Sequence, residues 1–115
     1  LLATPGVVGL LLRSGDDDVG FALHRIAAGE AELLTIAVRP SLRRRGAGRG
    51  LLAATVERVR EAGAGALFLE VAVDNQAARR LYEAAGFHSV GVRPAYYRRT
   101  DGSMTDALVM RLTLN

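Results

Sequence analysis

The 115-residue sequence contains no cysteine, and all 15 of its basic residues are arginine, so lysine is absent as well. Without cysteine, a disulfide framework and a zinc–thiolate centre are both excluded. Without lysine, a Walker-type phosphate loop is excluded, because that motif requires Gly-Lys followed by Ser or Thr. The two histidines, His24 and His88, are far apart and have no acidic neighbours at ligand spacing. We therefore predict no metal site.

Long apolar runs are also missing. The longest one near the start, residues 7–12, is interrupted by Gly9 and is much shorter than the roughly 20 residues that a membrane-spanning helix needs. The start of the sequence also lacks the charged leader and cleavage site of a signal peptide. We therefore expect a cytoplasmic protein with no membrane partner.

Charge is unevenly distributed along the chain. The net charge is only +3, yet arginines gather in residues 39–49 and 93–99. This local positive potential suits an anionic small molecule. Nucleic acid is less favoured, because acidic residues are interleaved elsewhere and aromatic residues are few, so we predict no nucleic-acid partner. An arginine-rich nucleic-acid binder stays open as an alternative, which would need a continuous basic face.

Hydrophobic periodicity and turn residues predict one domain of alternating strands and helices over residues 1–115. Half of the residues are apolar, which is enough for one hydrophobic core. The predicted strands cover residues 7–13, 19–26, 30–38, 66–72, 87–93 and 105–114, and the predicted helices cover 48–62 and 75–85. A strand, a crossover helix and a strand, as in 30–72, imply a parallel pair with a right-handed connection.

The most informative stretch joins the third strand to the first helix. Glycines at 46, 48 and 50 allow the backbone to turn tightly and to approach a ligand closely. The first amides of a helix have no partner inside it and point outward with the positive end of the helix dipole. The stretch therefore predicts a phosphate site. A solvated turn with a basic edge is the alternative interpretation.

Four motifs together resemble the GNAT superfamily of N-acetyltransferases over nearly the whole chain from Glu30 onward. They are Ile-Ala-Val-Arg-Pro at 36–40, Arg-x-x-Gly-x-Gly at 43–48, Leu-Glu-Val at 69–71 with Asn-x-Ala-Ala-x-x-Leu-Tyr-x-x-Ala-Gly-Phe at 75–87, and Tyr96-Tyr97 before Asp101-Gly102. The strand at Glu70 and the paired tyrosines look most like the RimI type. Its members acetylate the amino-terminal alanine of a small-subunit ribosomal protein.

The resemblance implies an α/β (α+β) fold. The family has a mixed central sheet with antiparallel N-terminal strands, a parallel pair at the acetyl-CoA site, and helices on both faces. The family's N-terminal strand and helices have no counterpart in the sequence. We therefore expect a GNAT domain that lacks its N-terminal portion.

The resemblance also implies a complete set of site residues. Acetyl-CoA would be the co-substrate, its pantetheine arm lying beside the third strand and bonding Asn75, and its pyrophosphate lying in the glycine loop. The implied cofactor-binding residues are Ile36, Ala37, Val38, Arg43, Arg44, Arg45, Gly46, Ala47, Gly48, Arg49 and Asn75. Glu70 would be the general base, Tyr82 the general acid, and Tyr96 and Tyr97 would bound the slot for a peptide N-terminus.

Each implied role has a simpler structural alternative. Glu70 could be a strand carboxylate bonded to a neighbouring amide or arginine, and Tyr82 a core aromatic with its hydroxyl at the surface. Tyr96 and Tyr97 could be an ordinary hairpin pair. At the level of function, two alternatives to acetylation of a protein N-terminus stay open. One is an acetyltransferase for a small amine or a lysine side chain, and the other is an acetyl-CoA-binding module without turnover.

Overall fold

The structure is a computed structural model that describes residues 6–42 and 46–115. Its strands and helices, in chain order, are β1 (Val7–Ser14), β2 (Asp17–Ala27), β3 (Glu30–Val38), α1 (Ala47–Glu61), β4 (Ala66–Ala72), α2 (Gln76–Ala84), β5 (His88–Arg98) and β6 (Met104–Thr113). A short 3-10 turn, Pro40–Leu42, follows β3. The predicted bounds of β3 and β4 are confirmed, and those of the other elements differ by one or two residues, except that β5 ends five residues later than predicted.

The strands form one six-stranded sheet in the order β1-β2-β3-β4-β6-β5. The β1–β2, β2–β3, β4–β6 and β6–β5 pairs are antiparallel, and β3–β4 is the parallel pair that the crossover helix predicted. The mixed sheet and the fold class are therefore confirmed. Because β3 and β4 are parallel, their carboxyl ends lie at the same edge of the sheet.

The parallel pair is short. Within the described residues, β3 and β4 pair only at Ala31 with Leu67 and at Glu32 with Phe68. Beyond these two pairs, β3 continues beside β2, and β4 continues beside β6. The two strands therefore separate towards their carboxyl ends and leave a cleft in the middle of the sheet.

The two described helices lie on one face of the sheet. Each helix connects two parallel strands, α1 joining β3 to β4 and α2 joining β4 to β5, and both connections cross the sheet in the same direction. Right-handed crossovers in the same direction place their helices on the same face of the sheet. The helices are in contact, because the Cβ of an alanine at Gly48 of α1 would lie 3.6 Å from the Leu81 side chain of α2. A helical layer on the second face is not among the described residues.

The core lies between these helices and the sheet. Its fully buried side chains include Leu52 and Val59 of α1, Leu67 and Leu69 of β4, and Met110 of β6. Side chains alternate along β4, where the odd-numbered residues are buried and Phe68, Glu70 and Ala72 are half-buried on the other face. In the part of the chain that the structure describes, neither helix is long and apolar enough to cross a membrane.

Pro94 does not end the fifth strand as its position suggested, but it marks a bulge. Arg93 is opposite Ala107 and Tyr97 is opposite Thr105, so five residues of β5 (93–97) lie opposite only three residues of β6 (105–107). The two extra residues are accommodated with Ala95 at a positive φ of 51°, and Asp106 accepts a hydrogen bond from the Ala95 amide at 2.9 Å. The bulge therefore sets which side chains of β5 reach across β6.

His24 is a buried titratable group beneath α1. It is 2% exposed, and its Nδ1 has no hydrogen-bond partner among the described residues. Burial, and secondly the positive charge of Arg58, lower the pKa of His24 below its usual value of 6.5. The imidazole is therefore neutral in the folded protein near neutral pH.

This burial predicts a loss of stability in mild acid. Below about pH 6.5 the unfolded chain takes up a proton at His24 that the folded chain resists, so the free energy of unfolding falls as the pH decreases through this range. Urea unfolding at pH 7.5 and pH 5.5 should show a smaller pH dependence for His24→Gln than for the wild type. His88→Gln, at an exposed histidine, is the control. An unchanged pH dependence in His24→Gln would contradict this prediction.

Candidate active site

A cleft of about 460 Å³ lies between the separated ends of β3 and β4. Residues 33–36 of β3 form one wall, residues 69–72 of β4 form the other, and the start of α2 and the end of β5 close it. Glu70, Asn75, Tyr82 and Tyr97 all line this one cavity. The structure therefore brings together residues for which the sequence predicted catalytic, cofactor-binding and substrate-binding roles.

Glu70 lies on the face of β4 opposite the core, with 18% of its side chain exposed. Its Oε1 forms an ion pair with Arg93 Nη2 of β5 at 2.9 Å. This is the bond to an arginine that the structural alternative predicted. It does not exclude a catalytic role, because a carboxylate has two oxygens and the ion pair through Oε1 leaves Oε2 to accept a proton.

Tyr82 is 8% exposed and combines a core position with access to the cleft. Its ring packs edge-on against Phe87, with the ring centroids 5.8 Å apart. Burial, and secondly the neighbouring Tyr97, raise the pKa of Tyr82 above its usual value of 10.0. Tyr82 is therefore a protonated phenol at neutral pH, which can donate a proton or a hydrogen bond into the cleft.

Tyr97 and Tyr96 have different positions. The Tyr97 hydroxyl donates a hydrogen bond to the backbone carbonyl of Glu70 at 3.1 Å, and its side chain lines the cleft. Burial, Glu70 and Tyr96, in that order, raise the pKa of Tyr97. Tyr96 is 48% exposed and contacts the Tyr97 ring edge-on at 5.2 Å. Only Tyr97 therefore lines the cleft itself, while Tyr96 lies outside it.

Side chains hold the connection from β4 to α2 through Asn75, Arg79 and a third contact at Asp74. Asn75 is the N-cap of α2, and its Oδ1 accepts a hydrogen bond from the Ala78 amide at 3.2 Å. Arg79 donates to the carbonyl of Val73 at 2.8 Å and does not line the cleft. The cap uses one acceptor site of Oδ1, and the amide NH2 of Asn75 can still donate to a ligand.

The third contact joins this connection to the β5–β6 hairpin. Asp74 accepts hydrogen bonds from Nε and Nη2 of Arg99 at 2.9 and 2.7 Å. Arg99 also donates to the Met104 carbonyl at 3.0 Å. The side chain of Arg99 therefore ties the end of β5 to the start of α2 beside the cleft.

The start of α1 lies at the same edge of the sheet as the cleft. Gly46 is its N-cap at a φ of 82°, which is accessible to glycine without strain, and no side chain of the described residues caps the helix. The first hydrogen bond of the helix runs from the Gly50 amide to the Gly46 carbonyl at 2.9 Å. The preceding amides, at Ala47, Gly48 and Arg49, have no partner within the helix. The predicted loop residues Arg43, Arg44 and Arg45 lie outside the described residues.

The predicted pantetheine strand is divided between two surfaces. Ile36 lines the cleft, whereas Ala37 and Val38 line a separate groove with Gly20 and Phe21. A side chain at Gly20 would place its Cβ 2.5 Å from the Ala37 carbonyl, so glycine is required there for β2 to approach this end of β3. The structure thus assigns only part of the predicted segment to the cleft.

Three residues at the cleft were missed by the sequence analysis. Arg93 and Arg99 were noted only as members of a basic stretch, and Thr105 was not singled out. Arg93 pairs with Glu70 across β6, and Thr105 is a buried lining residue opposite Tyr97. Only the position of Arg93 next to Pro94 could have indicated that its side chain leaves the regular strand pattern.

The six-stranded sheet with its separated parallel pair, and the cleft between those strands, are the fold and the site expected of the GNAT family. Residues 3–87 match the family model described as the acetyltransferase (GNAT) family, which is more than half of the chain. The chain therefore belongs to this family.

Two curated relatives have the same name, [ribosomal protein bS18]-alanine N-acetyltransferase. The protein from Escherichia coli strain K12 is 40% identical over 95 residues, which are 83% of this chain and 64% of the relative. The protein from Salmonella typhimurium is 38% identical over 106 residues, which are 92% of this chain and 71% of the relative. This chain thus spans about two thirds of the length of the relatives that it matches.

A solved structure gives the same result. The crystal structure of the ribosomal-protein-S18-alanine N-acetyltransferase from Escherichia coli superposes with a TM-score of 0.90 at 35% sequence identity. The match covers 96% of this chain and 71% of that chain. Almost the whole of this chain therefore has the fold of that enzyme's corresponding part.

Proposed function

We propose that this protein transfers an acetyl group from acetyl-CoA directly to the α-amino group of a protein N-terminus. One observation carries the proposal, namely that Glu70, Tyr82 and Tyr97 line a single cleft at the separated ends of β3 and β4. A protein such as a ribosomal protein is the proposed acceptor, because the two curated relatives are named for that activity. The cytoplasm is the corresponding site of action.

The described residues fit acetyl-CoA in two ways. Within the described chain, β3 has no strand partner on the cleft side after Glu32, so backbone groups of residues 33–36 can bond an extended amide-containing chain as an added strand would. The start of α1 supplies amides of Ala47, Gly48 and Arg49 for a pyrophosphate. When bound, acetyl-CoA supplies the activated thioester.

The residues of the cleft can meet the two proton requirements of acetyl transfer to an amine. The acceptor ammonium must lose a proton before attack, and Glu70 can accept it directly or through water. The departing thiolate must gain a proton, and Tyr82, held protonated by burial, can donate it. Direct transfer is expected, because the sequence has no cysteine to form an acyl-enzyme.

The acceptor class can be tested with two peptides. Mass spectrometry should detect acetylation of a peptide with a free N-terminal alanine, and none of a peptide with a blocked N-terminus and an internal lysine. The reverse result would favour a lysine acetyltransferase. Binding of acetyl-CoA without modification of either peptide would contradict the proposed acceptor and favour a small amine or a module without turnover.

The general-acid role predicts the effect of Tyr82→Phe. Loss of the hydroxyl should lower kcat on the order of 100-fold, a typical contribution of a positioned proton donor. The affinity for acetyl-CoA should be nearly unchanged, because the phenyl ring still fills the site beside Phe87. Steady-state kinetics and calorimetric titration with acetyl-CoA measure the two quantities. A kcat equal to that of the wild type would remove Tyr82 from this role.

The cofactor loop predicts the effect of a bulky side chain at Gly48. Gly48→Phe should abolish calorimetrically detectable binding of acetyl-CoA, because a large side chain covers the first amides of α1 and meets Leu81. Gly48→Ala is the matched control, since its Cβ would make only an ordinary contact with Leu81 at 3.6 Å. Circular dichroism should show that both variants fold. Normal binding by a folded Gly48→Phe protein would refute the pyrophosphate assignment.

A further inference from the structure

Arg93 connects two parts of the candidate active site that the sequence did not join. Its Nη2 lies 2.9 Å from Glu70 Oε1, and the carbon of its guanidinium lies 4.8 Å from the centroid of the Tyr96 ring. Tyr96 contacts Tyr97, and the Tyr97 hydroxyl bonds the backbone carbonyl of Glu70. A closed ring of contacts therefore runs from the carboxylate of Glu70 through β5 and back to the backbone of the same residue.

This ring restrains a side chain that would otherwise be mobile. A glutamate has three side-chain torsions, and its carboxylate can occupy several positions unless a partner selects one. Arg93 provides that partner, and the face of Tyr96 in turn holds the guanidinium by a cation–π contact. The ring exists because the two-residue bulge of β5 brings both Arg93 and Tyr97 back towards β4 across the intervening strand β6.

We propose that Arg93 is a positioning residue that holds the Glu70 carboxylate at the mouth of the cleft, where the acceptor amine must lose its proton. This inference rests on the proposed acetyltransferase function. Arg93 itself need not contact either substrate, since the ion pair is through Oε1 and the second oxygen of Glu70 is left to accept the proton. Arg93 therefore acts on turnover and has little effect on binding of acetyl-CoA at the start of α1.

The decisive experiment is a double-mutant cycle with Arg93→Met and Glu70→Gln, read as kcat, acceptor KM and acetyl-CoA affinity. Arg93→Met should lower kcat at least about tenfold, as expected when a reacting group loses its position. Its acceptor KM and acetyl-CoA affinity should change much less. The double variant should be no slower than Glu70→Gln alone, because the two residues act as a unit. Arg93→Gln, which removes the charge but keeps a polar end, replaces Arg93→Met if that variant does not fold.

The matched control is Arg13→Met. Arg13 forms an ion pair with Asp18 at 3.1 Å in the β1–β2 hairpin, away from the cleft, and its side chain is as exposed as that of Arg93. Its kcat should equal that of the wild type. A kcat for Arg93→Met within twofold of the wild type, or losses that multiply in the double variant, would overturn the positioning role.

A second measurement separates this inference from the proposed function. The shifts of the urea midpoint caused by Arg93→Met and Glu70→Gln should not add in the double variant, because each single variant already breaks the same ion pair. Additive shifts would overturn the proposal without reference to activity. A wild-type protein that binds acetyl-CoA but acetylates no amine would instead refute the proposed function. In that case the double-mutant cycle measured by urea unfolding would decide alone whether Arg93 holds Glu70.

Discussion

The separation of β3 from β4 is the constraint on which the candidate active site depends. Two parallel residue pairs hold the strands together at one end, and each strand is then held on its other side by an antiparallel neighbour, β2 or β6. The cleft therefore stays open because the backbone groups on its outer sides are already bonded. A ligand with amide groups can satisfy the inner side of β3 without displacing any strand.

The hairpin of β5 and β6 completes the cleft from the other direction. β6 lies between β4 and β5, so any side chain of β5 must reach over it to approach Glu70. The bulge at residues 94–96 makes this possible, and the bond from Asp106 to the Ala95 amide stabilises its unusual backbone. Arg99 then anchors the end of the hairpin to Asp74. Tyr97 therefore lines the cleft from a strand that is anchored at both the bulge and the hairpin end.

Local pattern was sufficient for the elements but not for their long-range contacts. The alternation of buried side chains along β4 and the start of α2 at its Asn75 cap each depend on near neighbours in sequence, and both elements were predicted to within one residue. The extent of β3–β4 pairing depends on where β3 pairs with β2 and where β4 pairs with β6. These pairings join segments that are far apart in sequence, so no local pattern predicts them. The ion pair between Glu70 and Arg93 depends on the register of three strands and on a bulge. Family resemblance could therefore indicate Glu70 and Tyr82 but not the arginine beside them.

The two helix starts at the ligand edge differ in a way that bears on the charge of the ligand. Asn75 caps α2 with its own side chain, so one of the first amides of that helix is already bonded. α1 begins at a glycine, has no acidic residue in its first turn, and has no side-chain cap among the described residues. Among the described residues no side chain bonds its first amides, and the positive end of its dipole favours an anion there. Under the proposed function, a pyrophosphate bound there would stabilise α1 as the Asn75 side chain stabilises α2.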